Sequence, residues 1–163
     1  MSAKQLLTVV LGFMLVPCLI VGAFAQMPNP YGLSISVEDA KKAAVLSLTE
    51  AKKNNWAVAV AVVDPSGNLV YYEKMDNTQL GSANISIDKA RTAARFKRPT
   101  KAFQDALAAG AEGLRTLGLQ GVTPVEGGFP LLLDGKIVGG IGVSGATSAQ
   151  DSQCSKVGAD AFK

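Results

Sequence analysis

Five cations crowd into ten residues, Lys89, Arg91, Arg95, Lys97 and Arg98, opposed only by Asp88 just before them. If this stretch is helical, positions 91, 95 and 98 fall on one side. Arg91, Arg95 and Arg98 could then converge on a carboxylate or phosphate, which guanidinium groups grip through paired N–H donors. A solvated helix face has the same spacing, and the residues alone leave both readings open. A second set is apolar: Tyr71 and Met75 have the same parity in a strand-forming stretch, so they share a face across which a flat apolar ligand could lie. Core packing is the alternative for both. Glu73, Asp76 and Asp64 are candidate acid–base groups, yet no spacing pairs them, so no catalytic residue is assigned. The chain has no histidine and 2 cysteines. This excludes Ser-His-Asp and Cys-His catalysis, His-bearing zinc sites and proximal-His haem ligation, and it leaves any metal ligand unknown.

Gly140-Ile141-Gly142-Val143-Ser144-Gly145 matches the spacing G-x-G-x-x-G. That fingerprint needs a second parallel strand and an acid about 20 residues further on, and too little chain follows Gly145 for either. Glycines in a strand instead let a neighbouring backbone or a ligand approach closely. Gly145 to Ser148 could also offer free N–H groups to an anion at a helix start.

The elements that must position these residues follow from local signals. Ser36 with Asp39 three residues on starts a helix whose stripe is Val37, Ala40, Ala44, Leu48 and Ala51, and Asn54-Asn55 stops it. Trp56 to Val63 is short, apolar and rich in β-branched residues, a strand buried on both faces. Asp64 to Asn68 is a turn into a second strand, Leu69 to Met75. Asn84–Phe96 and Thr100–Gly110 read as helices parted by Pro99, with Thr100 as a cap. Leu131–Leu133 and Lys136–Ser144 form a hairpin about Asp134-Gly135, a pair suited to a two-residue turn. A last helix is expected from Ser148, with Asp151 completing its capping box, running toward Phe162. The result is one α+β domain, an antiparallel sheet of about five strands flanked by helices.

Residues 1–25 carry Lys4, an apolar run and a closing Ala23-Phe24-Ala25, the pattern of a cleaved secretory signal peptide. An uncleaved anchor is the competing reading. Cleavage before Gln26 would remove Cys18 and leave Cys154 alone, a buried small hydrophobe rather than half of a disulfide. The expected location is secreted or periplasmic, with no membrane contact after cleavage. Residues 26–35, with Pro28 and Pro30, form an extended linker, and 36–163 the domain. A net charge of +3 gives no reason to expect a nucleic-acid partner.

Val62-Val63-Asp64 with Gly67, Met75-Asp76, Lys89-Ala90 with Thr92-Ala93, Pro99-Thr100, Gly127-Gly128-Phe129-Pro130, Asp134-Gly135, the run Gly139 to Gly145 and Gln150-Asp151 together resemble the GlcG/HbpS-like family. The resemblance runs from about Ser36 to the C-terminus. It implies a profilin-like or PAS-like layered domain, assembly into homo-oligomers and binding of a small ligand. For HbpS-like members that ligand is haem, and for the related domain of cobalamin adenosyltransferases another tetrapyrrole link. Without histidine, haem here would need Met75, Tyr71, Tyr72, Cys154 or a lysine as ligand, or would bind without a strong one. The expected ligand site is Tyr71, Met75, Arg91 and Arg95, an apolar face beside two cations. Two alternatives stand beside it: an enzyme holding a small hydroxy acid with Arg91 and Arg95, and an assembly subunit without a ligand.

Overall fold

The structure is a computed structural model that describes residues 27–162. The signal-peptide reading of 1–25, with its cleavage site before Gln26 and Cys18, lies outside the described residues. Helix α1 (Val37–Lys53) begins at Ser36, whose Oγ accepts the Asp39 N–H and donates to the Asp39 carboxylate. It ends where Asn55 turns left-handed at φ 59°. The chain continues through β1 (Ala59–Val63), β2 (Leu69–Lys74), α2 (Ser82–Phe96), α3 (Lys101–Ala108), a 3-10 helix (Ala111–Gly118), β3 (Gly128–Leu133), β4 (Lys136–Ser144) and α4 (Ser148–Asp160). The α1 stripe is Ala40, Ala43, Ala44, Ser47, Leu48 and Ala51, while Val37 stays exposed. The 3-10 helix has no counterpart in the sequence reading.

The sheet is antiparallel in the order β2-β1-β4-β3, four strands where about five were expected. A fifth is approached but not completed. Residues 27–35, expected as an extended linker, run along β4 beyond the end of β1. The Ile137 N–H donates to the Pro30 carbonyl (2.8 Å), and the Gly32 and Ile35 N–H groups donate to Ile137 and Val138 carbonyls (2.9 Å each). Pro28 and Pro30 have no N–H to give, so one bridge at Tyr31 replaces a ladder. The extended segment is thus a strap bonded to β4.

Helices cover both faces. Val58, Val60 and Val62 of the β1 region point toward α1 and α4, where they meet Leu48, Ile141 and Cys154. Ala61 and Val63 point the other way, toward Ala90 and Ala94 of α2. Here β4 needs glycine. A Cβ on Gly142 would lie 2.1 Å from the Ser86 carbonyl oxygen, and one on Gly140 2.4 Å from that of Ala90. The backbone of α2 therefore rests directly on the strand, and the glycine run serves helix–sheet packing.

The β3–β4 turn has φ 50° at Asp134 and 71° at Gly135, left-handed at both central residues as a two-residue hairpin of this type requires. Gly135→Val should cost about 1–3 kcal/mol, the strain of a branched residue at positive φ. An unchanged urea midpoint would contradict this.

Two expected helix caps are corrected. Thr147, not Ser148, caps α4, and Gln150, not Asp151, completes the capping box. Asp151 turns inward, past the N-cap, with one oxygen accepting the Ala146 N–H. Thr100 does not cap α3 with its side chain; its Oγ1 accepts the Gly128 N–H (2.9 Å) and ties α3 to β3.

Candidate functional site

Arg91 and Arg95 lie one turn apart on α2 and reach across to the β1–β2 turn. The Arg91 Nε donates to the Gly67 carbonyl at 3.0 Å and the Arg95 Nε to the Ser66 carbonyl at 2.8 Å. Successive turn carbonyls thus anchor both guanidinium groups by their inner nitrogens. Among the described residues no hydrogen bond occupies the terminal nitrogens of Arg95, while Arg91 Nη1 makes a long contact with Asp88 (3.5 Å). Both arginines line a half-open hollow of about 430 Å³ with Asp88, Gly121, Val122 and Thr123. Its far wall is pinned by buried Thr92, whose Oγ1 donates to the Gly121 carbonyl (3.2 Å) and accepts the Thr123 N–H (2.9 Å). Helix α2 therefore fixes both the cations and the wall opposite them. The arrangement suits an anionic group that accepts several N–H donors, above all a carboxylate.

The other cations of the run go elsewhere. Arg98 bonds the Phe96 carbonyl and lies over the Phe103 ring, 5.3 Å from its centroid. Lys97, left-handed at φ 51°, donates to the Asn29 carbonyl and sits over Tyr31. Lys89 is buried, with Nζ 2.8 Å from Asp151 and 3.0 Å from the Val143 carbonyl. The other Asp151 oxygen accepts the Ala146 N–H (3.0 Å). Desolvation drives the Lys89 amine below its usual range and the Asp151 carboxyl above its own, and the contact between them opposes both shifts.

Tyr71 and Met75 do share a face, as their parity requires, but it is the α1 face. The pairing of Tyr71 with Val62 turns both toward that layer, whereas Tyr72, paired with Ala61, faces α2. The sheet therefore separates Tyr71 and Met75 from Arg91 and Arg95 within one chain. Met75 also lies just past the end of β2 remote from the turn that the arginines grip.

The same geometry bears on haem iron. No methionine, tyrosine or cysteine lines the arginine hollow. The Tyr71 hydroxyl donates to Glu73 (2.8 Å), and that bond, aided by burial, raises its pKa. Cys154 is fully buried, and desolvation, with Asp151 and Glu50 adding to it, pushes its thiol up to about 12. Among the described residues, then, the hollow brings cations for carboxylates and none of the methionine, tyrosine, cysteine or lysine side chains considered as iron ligands.

The sequence reading missed Lys89–Asp151 as a pair, and Thr92 with Gly121–Thr123 as a wall. One signal for Lys89 was present: Ser82, Ser86, Lys89, Ala90 and Ala93 form the buried stripe of α2 at helical spacing, so a lysine sits where a small or apolar residue is expected.

A layered α+β fold carrying a cationic hollow is the class these observations define, and comparison places it more closely. The family described as "Haem degrading protein HbpS-like" matches residues 35–160, and the chain belongs to that family. It is 44% identical over 95 residues to protein GlcG of Escherichia coli strain K12, covering 58% of this chain and 69% of GlcG. Among solved structures it is similar to a double mutant of HbpS from Streptomyces reticuli, with a TM-score of 0.74 and 27% identity over 99% of both chains. It is also similar to PduOC in a structure described as a haem complex, with a TM-score of 0.72 and 27% identity over 80% of this chain and 96% of that one.

Proposed function

We propose that the protein binds a carboxylated tetrapyrrole, haem among them, through the periphery of the macrocycle, with Arg91 and Arg95 taking its carboxylates. The observation that carries this reading is the pair of guanidiniums anchored on Ser66 and Gly67 at one wall of the hollow. Membership of a family described by haem, and a structural relative described in complex with it, support the choice of tetrapyrrole over a small acid. With the arginines, and no methionine, cysteine or lysine among the described lining residues, carrying the contact, metal-free protoporphyrin and haem should bind with similar affinity. Arg95→Ala should weaken both by about 10- to 100-fold, the worth of a charged hydrogen bond of roughly 1.5–3 kcal/mol. Absorption titration checks this. Haem bound far more tightly than the metal-free ring, with Arg95→Ala unchanged, contradicts it.

Export by residues 1–25 and assembly into a closed homo-oligomer belong to the same proposal, supported by Ala23-Phe24-Ala25 and by the exposed leucines of the 3-10 helix, Leu114 and Leu117. Native mass spectrometry of protein taken from its own compartment tests both. Chains beginning at Gln26 in a multiple of one subunit are expected, and a single chain retaining 1–25 contradicts both points.

A further inference from the structure

Arg95 faces two hollows. Besides the one shared with Arg91, it lines a second of about 490 Å³ between the strap and the β1–β2 turn, with Tyr31, Leu33, Pro65 and Ser66 among its walls. We infer that Tyr31, Leu33 and Pro65 form an apolar shelf that carries the body of the ligand whose carboxylate Arg95 holds. The inference rests on the arginine reading and specifies its ligand: a flat amphipathic carboxylate rather than a small hydrophilic acid.

Three observations converge on the shelf. Leu33 is 89% exposed and Tyr31 44% exposed, yet neither is on a free loop. The Gly32 and Ile35 N–H groups hold the strap to β4 on either side of Leu33, and the Tyr31 hydroxyl donates to the carbonyls of Ala94 (3.1 Å) and Arg95 (2.9 Å). The shelf is thus built at a fixed distance from Arg95, so binding pays little ordering cost. The acid lining this hollow, Asp64, is held in the turn by its own hydrogen bonds. Burial opposes ionisation of Asp64, but the Asn68 side chain and N–H, with the N–H groups of Ser66 and Gly67, outweigh it and hold its carboxyl below the usual range. Both its oxygens are taken by Asn68 (2.9 Å each). Asp64 is therefore ionised and fixed in place, a charge that excludes a second anionic group from this hollow and leaves its Tyr31–Leu33 side to an apolar one. Apolar surface beside a fixed cation is complementary to a ligand with a charged edge and an apolar plane.

The test uses metal-free protoporphyrin and, as an independent flat anion, 8-anilinonaphthalene-1-sulfonate, titrated against the full chain, Leu33→Asn, Arg95→Ala and the control Leu80→Asn, at a leucine 86% exposed outside both hollows. Leu33 has almost no contacts to lose, so its neutral polar variant should fold as the wild type does. Leu33→Asn is expected to bind both probes about tenfold more weakly, with Leu80→Asn unchanged. If protoporphyrin binding falls in Arg95→Ala but not in Leu33→Asn, the shelf is overturned and the arginine reading stands. If protoporphyrin does not bind while the naphthalene probe does, and depends on Leu33, the tetrapyrrole reading falls and the shelf stands. Binding of neither probe to the wild type overturns both.

Discussion

Replacing Gly142 with alanine is expected to cost the fold about 3 kcal/mol, the upper end of what overpacking does in a tight core. The added Cβ would lie 2.1 Å from the Ser86 carbonyl oxygen and 2.5 Å from the Ala90 nitrogen. Both atoms belong to the α2 backbone, so no side chain can rotate out of the way. The helix must lift from β4, and the arginines that α2 carries move with it. Gly81→Ala is the matching control: nothing lies within 4 Å of its Cβ position, and its φ of −62° suits any residue. That variant should stay within about 0.5 kcal/mol of the wild type. Urea unfolding of the two variants checks the contrast, and equal midpoints would contradict the packing described.

The second large effect is at Lys89. Lys89→Met should destabilise by about 3–5 kcal/mol, because the Asp151 carboxylate, 2% exposed, is left without its cation. Most of that loss is the burial of an uncompensated charge, so Lys89→Met combined with Asp151→Leu should recover a large part of it. A double-mutant cycle measures the difference, and additive losses would show the pair to be uncoupled. The pH dependence of the single variant has a definite sign. Desolvation already raises the Asp151 pKa in the wild type, and removal of Lys89 raises it further. The folded variant then binds a proton more readily than the unfolded chain does. Its deficit is largest above the folded pKa and shrinks as pH falls toward the ordinary carboxylate value of 3.8.

These two sites show what the sequence could and could not reveal. Features written in adjacent residues were legible: the Ser36 cap, the left-handed stop at Asn55, the Asp134-Gly135 turn and a β1 buried on both faces. The close-packing role of the β4 glycines was legible in kind, although the partner, α2, was not. The Lys89–Asp151 contact spans 62 positions and depends on where β4 delivers α4, which no local pattern encodes. The failure at Tyr71 and Met75 has a related cause. Period two shows that both residues share a face, but only the pairing of Tyr71 with Val62 shows that α1, and not α2, covers it. That Arg91 and Arg95 lie on one side of α2 was legible because four-residue spacing is a local property of one helix. Their wall at Gly121–Thr123 and their anchors at Ser66 and Gly67 arrive from other parts of the chain.

The central claim is that the ligand sits on the α2 face, at the arginines. Ferric haem broadens the NMR signals of nearby amides, so a titration of isotope-labelled protein maps the site without assuming any residue's role. The account predicts that broadening centres on Arg91, Arg95 and Gly121–Thr123 and extends to the strap at Leu33. Broadening centred on Tyr71, Met75 and α1, with the α2 face untouched, would contradict it.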